Sequence, residues 1–427
     1  MAQPEAAVAV QARRWPQRLN VVTLMFISVV ILYMDRVNIS VVAPVLMQEF
    51  GWDPAMMGTV LSAFFVGYFL TQVPGGWLAD RWGTKGLLGG AVVWWSLVTL
   101  LTPFARTLPA MLTVRIALGL GEGLSPPALY STAARWIPAH ERSRVMAFLS
   151  TGMYVGLIIA FPVAVWIMTR WGWPWVFYLF GLGGFVWWVA WHLLVTSRPE
   201  DHPRISPAEL QHILQGQSSA PQARVIPWRR FFQERAFWAL ICAHFCTNWT
   251  WYVFLTWLPV YLVQVRGFSL QEMGVYAMFP YLAMMLIGNG AAWLADSLIR
   301  RGISITLIRK GSQTVAFLGA ALFLFLLTRS TTPWLTVLCI TLGLGALSCF
   351  ASGMGTNHLD IGPKYAGVLI GITNTAATVP GILAPAITGA IVQWTGDWNM
   401  VFYVAIGIML VGTVVWNLFS TGEKLFD

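Results

Sequence analysis

Gly75-Gly-Trp-Leu-Ala-Asp80-Arg81-Trp-Gly83-Thr-Lys85 closes the second long apolar run of the chain, and a shorter version, Ala292-Trp-Leu-Ala-Asp296-Ser297, closes the eighth. The copies stand 216 residues apart, and the same offset carries the start of the first run onto that of the seventh. Repetition at this spacing predicts two units of one plan, joined head to tail. In the first copy Asp80 is placed to cap a neighbouring helix N-terminus while Arg81 and Lys85 face the aqueous side, a latch between the two units. The alternative is a set of charges that only orients the chain. The second copy lacks the leading Gly and the Arg after Asp296, so its latch is weaker.

The runs themselves fix the environment. Segments of about 20 apolar residues, the length of a helix that crosses a bilayer, fall near 20–41, 56–79, 86–105, 108–131, 145–169, 174–195, 236–263, 272–295, 307–327, 333–357, 366–392 and 399–420. They are apolar on every face, whereas the strands of a membrane barrel alternate, so the expected fold is an all-α membrane protein. Twelve transmembrane helices in two pseudo-symmetric six-helix bundles follow from the repeat. Composition agrees: 57% of residues are apolar and 10% charged, with 24 Trp and a mean hydropathy of +0.66.

A net charge of +9 invites a nucleic-acid reading, but the placement of the charges opposes it. Of 26 Lys and Arg, twenty fall in the tails and the even-to-odd loops, and four, Arg106, Arg170, Arg266 and Arg329, on the other side. That is the positive-inside pattern, which puts both termini in the cytoplasm and makes the basic character topological. The expected organisation is a tail at 1–18, a bundle at 19–196, a cytoplasmic linker at 197–234, a second bundle at 235–420 and a tail at 421–427. Within the linker, Ser206 is set to cap a short surface helix. Cys242, Cys246, Cys339 and Cys349 all sit in predicted spans as small apolar packing residues, and neither a disulfide framework nor a metal site is expected of them. The short termini suit a bacterial inner membrane.

Leaving aside Glu272, Arg309 and Lys310 at the first residues of their runs, Asp35, Arg36, Arg115 and Glu122 are the only Asp, Glu, Lys or Arg residues inside these spans, and all four lie in the first third of the chain. An ionisable group near the middle of a membrane helix costs at least about 2.5 kcal/mol, so four retained together indicate use. Asp35 and Arg36 are adjacent and diverge by about 100° on a helix, so they need separate partners. Arg115 and Glu122, seven residues apart, lie two turns along one face, a stripe with a cation and a carboxylate about 10 Å apart that is placed to pair with Asp35 and Arg36 across the bundle. Arg36 suits the carboxylate of a substrate, because a guanidinium stays charged and grips a carboxylate with two donors. Asp35 and Glu122 are then proton carriers, since burial favours a neutral carboxyl and a nearby guanidinium an ionised one; breaking and remaking a pair with Arg115 would load and release the proton. Two static ion pairs are the alternative. Around the quartet stand Tyr33, Tyr68 and, on roughly one face of the seventh run, His244, Asn248, Trp251 and Tyr252; Asn374, Ser348 and Ser352 are further hydrogen-bonding candidates. The second bundle is expected to hold no buried charge.

The Asp-Arg loop motif after the second helix, in a 6+6 repeat, resembles the major facilitator superfamily. Tyr33-Met-Asp-Arg-Val-Asn38, Arg115-Ile-Ala-Leu-Gly-Leu-Gly-Glu122-Gly, Glu141-Arg-Ser-Arg144, Leu255-Thr-Trp-Leu-Pro-Val-Tyr261-Leu and Asn357-His-Leu-Asp360-Ile-Gly-Pro narrow this to the anion:cation symporter family, which includes bacterial galactonate, glucarate and hexuronate transporters, sialin, the vesicular glutamate transporters and plastid phosphate transporters. The resemblance implies proton-coupled uptake of a small organic anion by alternating access about a midplane site, with Arg36 as anchor, Asp35 and Glu122 as protonation sites and Arg115 as their switching partner. Met153 and His244 stand where galactonate-type members carry glutamine; with Trp249, Trp251 and Tyr252 nearby they favour a less polar carboxylate than a sugar acid. An anion exchanger or phosphate carrier of the same fold is the alternative. The expected partners are the anion and the lipid bilayer, with no nucleic acid; the chain is expected to be monomeric, to use no cofactor beyond the coupling proton and to be no enzyme, since it has no nucleophile or nucleotide-binding motif.

Overall fold

A computed structural model describes residues 15–72, 74–216 and 226–426, the side chain of Asp80 excepted. The first unit comprises α1 (Gln17–Phe50), α2 (Pro54–Gln72), α3 (Pro74–Trp82), α4 (Thr84–Leu101), α5 (Leu108–Glu122), α6 (Ser125–Trp136), α7 (Ala139–Trp171) and α8 (Pro174–Leu194). The short helices α9 (Pro207–Gln215) and α10 (Trp228–Gln233) follow. The second unit comprises α11 (Arg235–Val260), α12 (Leu270–Tyr276), α13 (Phe279–Arg300), α14 (Ile305–Arg329), α15 (Pro333–Leu347), α16 (Met354–Ile361), α17 (Ala366–Thr395) and α18 (Trp398–Phe419). Taking α2 with α3, α5 with α6, α12 with α13 and α15 with α16 gives twelve rods, six per unit, at the predicted places.

Ten of the rods are long and apolar enough to cross a membrane among the described residues. The two that fall short are the fourth and the seventh. The fourth is divided after Glu122, leaving α5 only 15 residues long; the seventh, α11, has 26 residues but carries His244, Thr247, Asn248 and Thr250 along its length. The fourth falls short by length and the seventh by its polar side chains, and both contribute to the site described below.

The repeat is repeated in backbone detail. Gly51 ends α1 in the left-handed region at φ 66°, donating its N–H to Met47 O, and Gly267, 216 residues later, has φ 70°. Two residues on in each unit, Asp53 Oδ1 accepts from Met56 N at 2.8 Å and Ser269 Oγ from Glu272 N at 3.2 Å, so equivalent helices begin on equivalent caps.

The units meet on the side opposite the arginine-rich loops. Here α2 packs on α17, where a Cβ on Gly58 would stand 2.6 Å from Pro385 O and one on Gly389 would collide with Pro54 O. Phe65 lies 4.4 Å from Tyr252 and Phe161 stacks on Tyr281 at 5.4 Å, ring centre to ring centre. Only glycine allows backbones this close. At the arginine-rich side the units separate around a cavity of about 910 Å³, lined by Gln72, Pro126 and Tyr130 of one and Val368, Gly371 and Asn374 of the other.

The linker belongs to both units. Ser206 caps α9 as expected, accepting from Glu209 N; the Glu209 carboxylate in turn accepts from Gln17 N and Arg18 N, and Ala139 N donates to Gly216 O at 2.8 Å, so α9 is fastened to α1 and α7. Phe231 of α10 instead packs on Phe237, Tyr365 and Phe426 of the second unit.

Candidate functional site

Tyr33, Arg36, Tyr68, His244, Asn248, Trp251, Tyr252 and Asn374, all eight of the predicted substrate-binding residues, line one cavity of about 170 Å³ between the units. They come from α1 and α2 on one side and from α11 and α17 on the other. A second cavity of about 320 Å³ shares Tyr33, Arg36, Tyr68, Met153 and Asn374 with it, and shares Pro126, Tyr130, Ile370 and Asn374 with the large opening. The three form one path from the arginine-rich side to Arg36. Asn374 lines all of it.

Arg36 is 6% exposed and directs its guanidinium at Glu122, at the end of α5. Nε donates to Glu122 Oε2 at 3.0 Å and Nη2 to the same oxygen at 2.9 Å; Oε1 is buried with no partner among the described residues. Three rings surround the guanidinium: Tyr33 at 4.7 Å, Tyr68 at 4.9 Å and Phe64 at 5.1 Å. This aromatic collar holds the cation where water is scarce while leaving its edge for hydrogen bonds.

Of the two pairings expected for Glu122, with the α1 charges across the bundle and with Arg115 as switching partner, the structure shows the first, with Arg36. Arg115 stands two turns back along α5, over the ring of Phe64 at 5.1 Å, and its Nε has no partner among the described residues. Phe64 lies under both guanidinium groups. The reason is packing: Gly67 and Gly119 bring α2 and α5 so close that the backbone at Phe64 touches α5, and the ring takes the space between the arginines. Asp35 points away from the cavity, as its place beside Arg36 requires; it is fully buried, and neither oxygen has a hydrogen-bond partner among the described residues.

In the second unit, Asn248 Nδ2 donates to Ala377 O at 2.9 Å, which ties α11 to α17 and directs its amide oxygen elsewhere. His244 has an unpartnered Nδ1, and its ring lies 6.2 Å from that of His358. His358 was quoted above only as part of a motif; it is buried, with Nε2 2.7 Å from Thr373 Oγ1. Ser348 and Ser352 do not reach the cavity and donate to their own backbone, at Gly345 O and Cys349 O. Residues missed by the sequence reading are Tyr154, Thr247 and Thr378, each next to or one turn from a predicted one.

The second unit does contain a buried charge, Arg309, paired with the partly buried Asp360. Arg309 Nε donates to Asp360 Oδ2 at 2.6 Å, Nη2 to Oδ1 at 3.2 Å and Nη1 to Ser352 O at 2.9 Å. Both residues sit near helix ends on the arginine-rich side, Arg309 at the edge of a predicted run and Asp360 in a predicted loop; folding brings those ends together. For the latch, Lys85 Nζ donates to His192 O at 2.8 Å and Arg81 lies over Trp77 at 5.2 Å, both within the first unit. The side chain of Asp80 lies outside the described residues. These contacts brace one unit rather than join two.

Comparison with known proteins agrees with this architecture. Residues 25–385 match the Major Facilitator Superfamily. The chain is 45% identical over 417 residues to rice probable anion transporter 4, chloroplastic, covering 97% of this chain and 70% of that one. It is 43% identical to the chloroplastic ascorbate transporter of Arabidopsis thaliana, over 97% of this chain and 77% of the relative, and 35% identical to human sialin, over 88% and 77%. Among solved structures, a D-xylose–proton symporter superposes with a TM-score of 0.75 over 95% of this chain and 99% of its own, at 14% identity, a likeness of fold alone. The chain belongs to the Major Facilitator Superfamily, and its relatives fit the anion:cation symporter family within it. It is a multi-pass membrane transporter, not an enzyme. The plant relatives are chloroplastic, which gives no support to the bacterial inner membrane expected above.

Proposed function

We propose that this member of the superfamily carries a small organic anion together with one or more protons, and that Arg36 and Glu122 are the residues through which the two are coupled. The observation that carries the reading is that both hydrogen bonds from Arg36 end on one oxygen of Glu122. A carboxylate arriving through the cavity needs the same pair of donors for a two-point grip. It gains them when Glu122 takes up a proton and ceases to compete, so anion and proton enter together. Asp35, unpaired and behind the cavity, is the second proton carrier in this reading. His244, Asn248 and Asn374 hold the far end of the anion, and the rings of Trp251 and Tyr252 set its shape.

The path described above is open to the arginine-rich side, the cytoplasmic side by the positive-inside pattern, and sealed at the α2–α17 contact. Alternating access then requires the Gly58–Gly389 contact to part while α6 and α17 approach around Asn374.

The test uses Glu122→Gln protein in liposomes. Loss of proton-driven accumulation with retention of anion-for-anion exchange is expected, because the neutral amide frees Arg36 permanently. Concentrative uptake at the wild-type rate would sink the assignment. A second reading, an exchanger or phosphate carrier in which Arg115 also holds the anion, is favoured by the unpartnered Arg115 Nε. It predicts no change of external pH when anion is added to unbuffered liposomes, whereas symport makes the medium alkaline.

A further inference from the structure

We propose that His140, Glu141 and His212 form a binding site for a divalent transition-metal ion of the zinc type at the arginine-rich end of the first unit. His140 and Glu141 open α7, and His212 comes from α9 of the linker. His212 Nε2 stands 3.1 Å and His140 Nε2 3.7 Å from one and the same atom, Glu141 Oε1. One ligand atom from each residue lies within 4.8 Å of the others. Donors on a tetrahedral zinc ion with bonds of about 2.0–2.1 Å are separated by roughly 3.4 Å, so small side-chain rotations bring the three onto one ion.

The geometry is held without the metal. Glu209 fastens α9 to the start of α1, and the Gly216 carbonyl fastens its end to Ala139, so the two elements that supply ligands are already fixed against each other. Glu141 divides its oxygens: Oε2 faces Arg18 Nε at 3.3 Å, leaving Oε1 to the two imidazoles. The histidine side chains are 65% and 42% exposed, so an ion enters from solvent and a water completes its shell. Two imidazole nitrogens and one carboxylate oxygen select zinc, nickel or copper over magnesium and calcium, which prefer oxygen alone. The charge of Arg18 weakens the site without filling it.

A bound ion would join α7, α9 and, through Arg18, α1. Two of these, α1 and α7, form a wall of the inner path at Val29, Leu32, Met146 and Leu149. Occupancy therefore stiffens one side of the opening on the arginine-rich face.

Full-length protein purified without a polyhistidine tag is titrated with zinc chloride by calorimetry and thermal shift, with magnesium chloride as control. One saturable zinc site per chain is expected, with a rise in melting temperature that magnesium does not produce. His140→Ala removes an imidazole that is 65% exposed, so the variant should fold normally and bind at least about tenfold more weakly. The double change His140→Ala with His212→Ala should abolish saturable binding, and His192→Ala should leave it intact. Absence of a saturable zinc signal, or wild-type zinc affinity in His140→Ala, overturns the site.

Discussion

Among the described residues each unit of this transporter pairs a buried arginine with a carboxylate, fully buried in the first unit and partly buried in the second, and the two pairs differ in how completely they are satisfied. Arg309 uses all three of its nitrogens: two bonds go to the two oxygens of Asp360 and one to the Ser352 carbonyl. Arg36 places two bonds on one oxygen of Glu122, leaves the other oxygen without a partner, and lines a cavity that opens to one side. The first arrangement is closed and gains nothing from a ligand. The second can exchange its partner, because an anion offers Arg36 what Glu122 offers now. A buried ion pair by itself is weak evidence of function; an incompletely satisfied one at the end of a path is stronger.

Substitutions at the pairs probe this contrast most strongly. Arg36→Lys keeps the charge but loses the fork, and anion uptake should fall on the order of 100-fold, since each hydrogen bond to a charged group contributes about 1.5–3 kcal/mol. Uptake at the wild-type level by that variant, measured in liposomes with the same anion, would mean that the pair is structural and that the two units do not differ. Asp360→Ala leaves Arg309 without its partly buried counterion and should lower stability by about 2–3 kcal/mol, below the cost of breaking a fully buried pair, read in a melting curve. Whatever transport survives should keep the wild-type ratio of protons to anion; an altered ratio would place coupling in both units.

A smaller effect is expected from His244→Gln. It preserves a donor and acceptor but changes their position, so the preference between two anions should move by about 10-fold, within the 1–3 kcal/mol that one group in a pocket contributes. If instead the pH dependence of uptake changes while the preference does not, the histidine belongs to proton movement, and the division of labour between the units is less sharp than drawn here.

The twelve rods, the six-and-six division and the linker cap were legible because each depends on local information: runs of apolar residues, an Asp-Arg loop repeated at a fixed offset, a serine before a proline. The eight cavity residues were legible for a related reason. A polar side chain in the middle of a membrane helix is costly enough to stand out, and in a fold of two such halves substrate sits near the midplane between them. His358 and Thr378 were not singled out, because a histidine or threonine in a run of small residues carries no sign of which helix it will meet.

The partners of the charges were not legible. Spacing puts Arg115 and Glu122 about 10 Å apart on one helix face, placed to pair with Asp35 and Arg36 across the bundle, but does not say which charge takes which partner; it leaves Arg309 and Asp360 at the edges of apolar runs with no sign that they meet. Folding gave Glu122 to Arg36 across the bundle, put Phe64 between the two arginines, and closed Arg309 on Asp360. Sequence by itself determined that this chain crosses a membrane many times, that its two halves share a plan, and which residues are too expensive to be idle, because hydropathy and periodicity act along the chain. Only the tertiary structure decided which charge holds which, which pair is satisfied and which side of the path is open, because those depend on distances between helices that close glycine contacts set and no local pattern encodes.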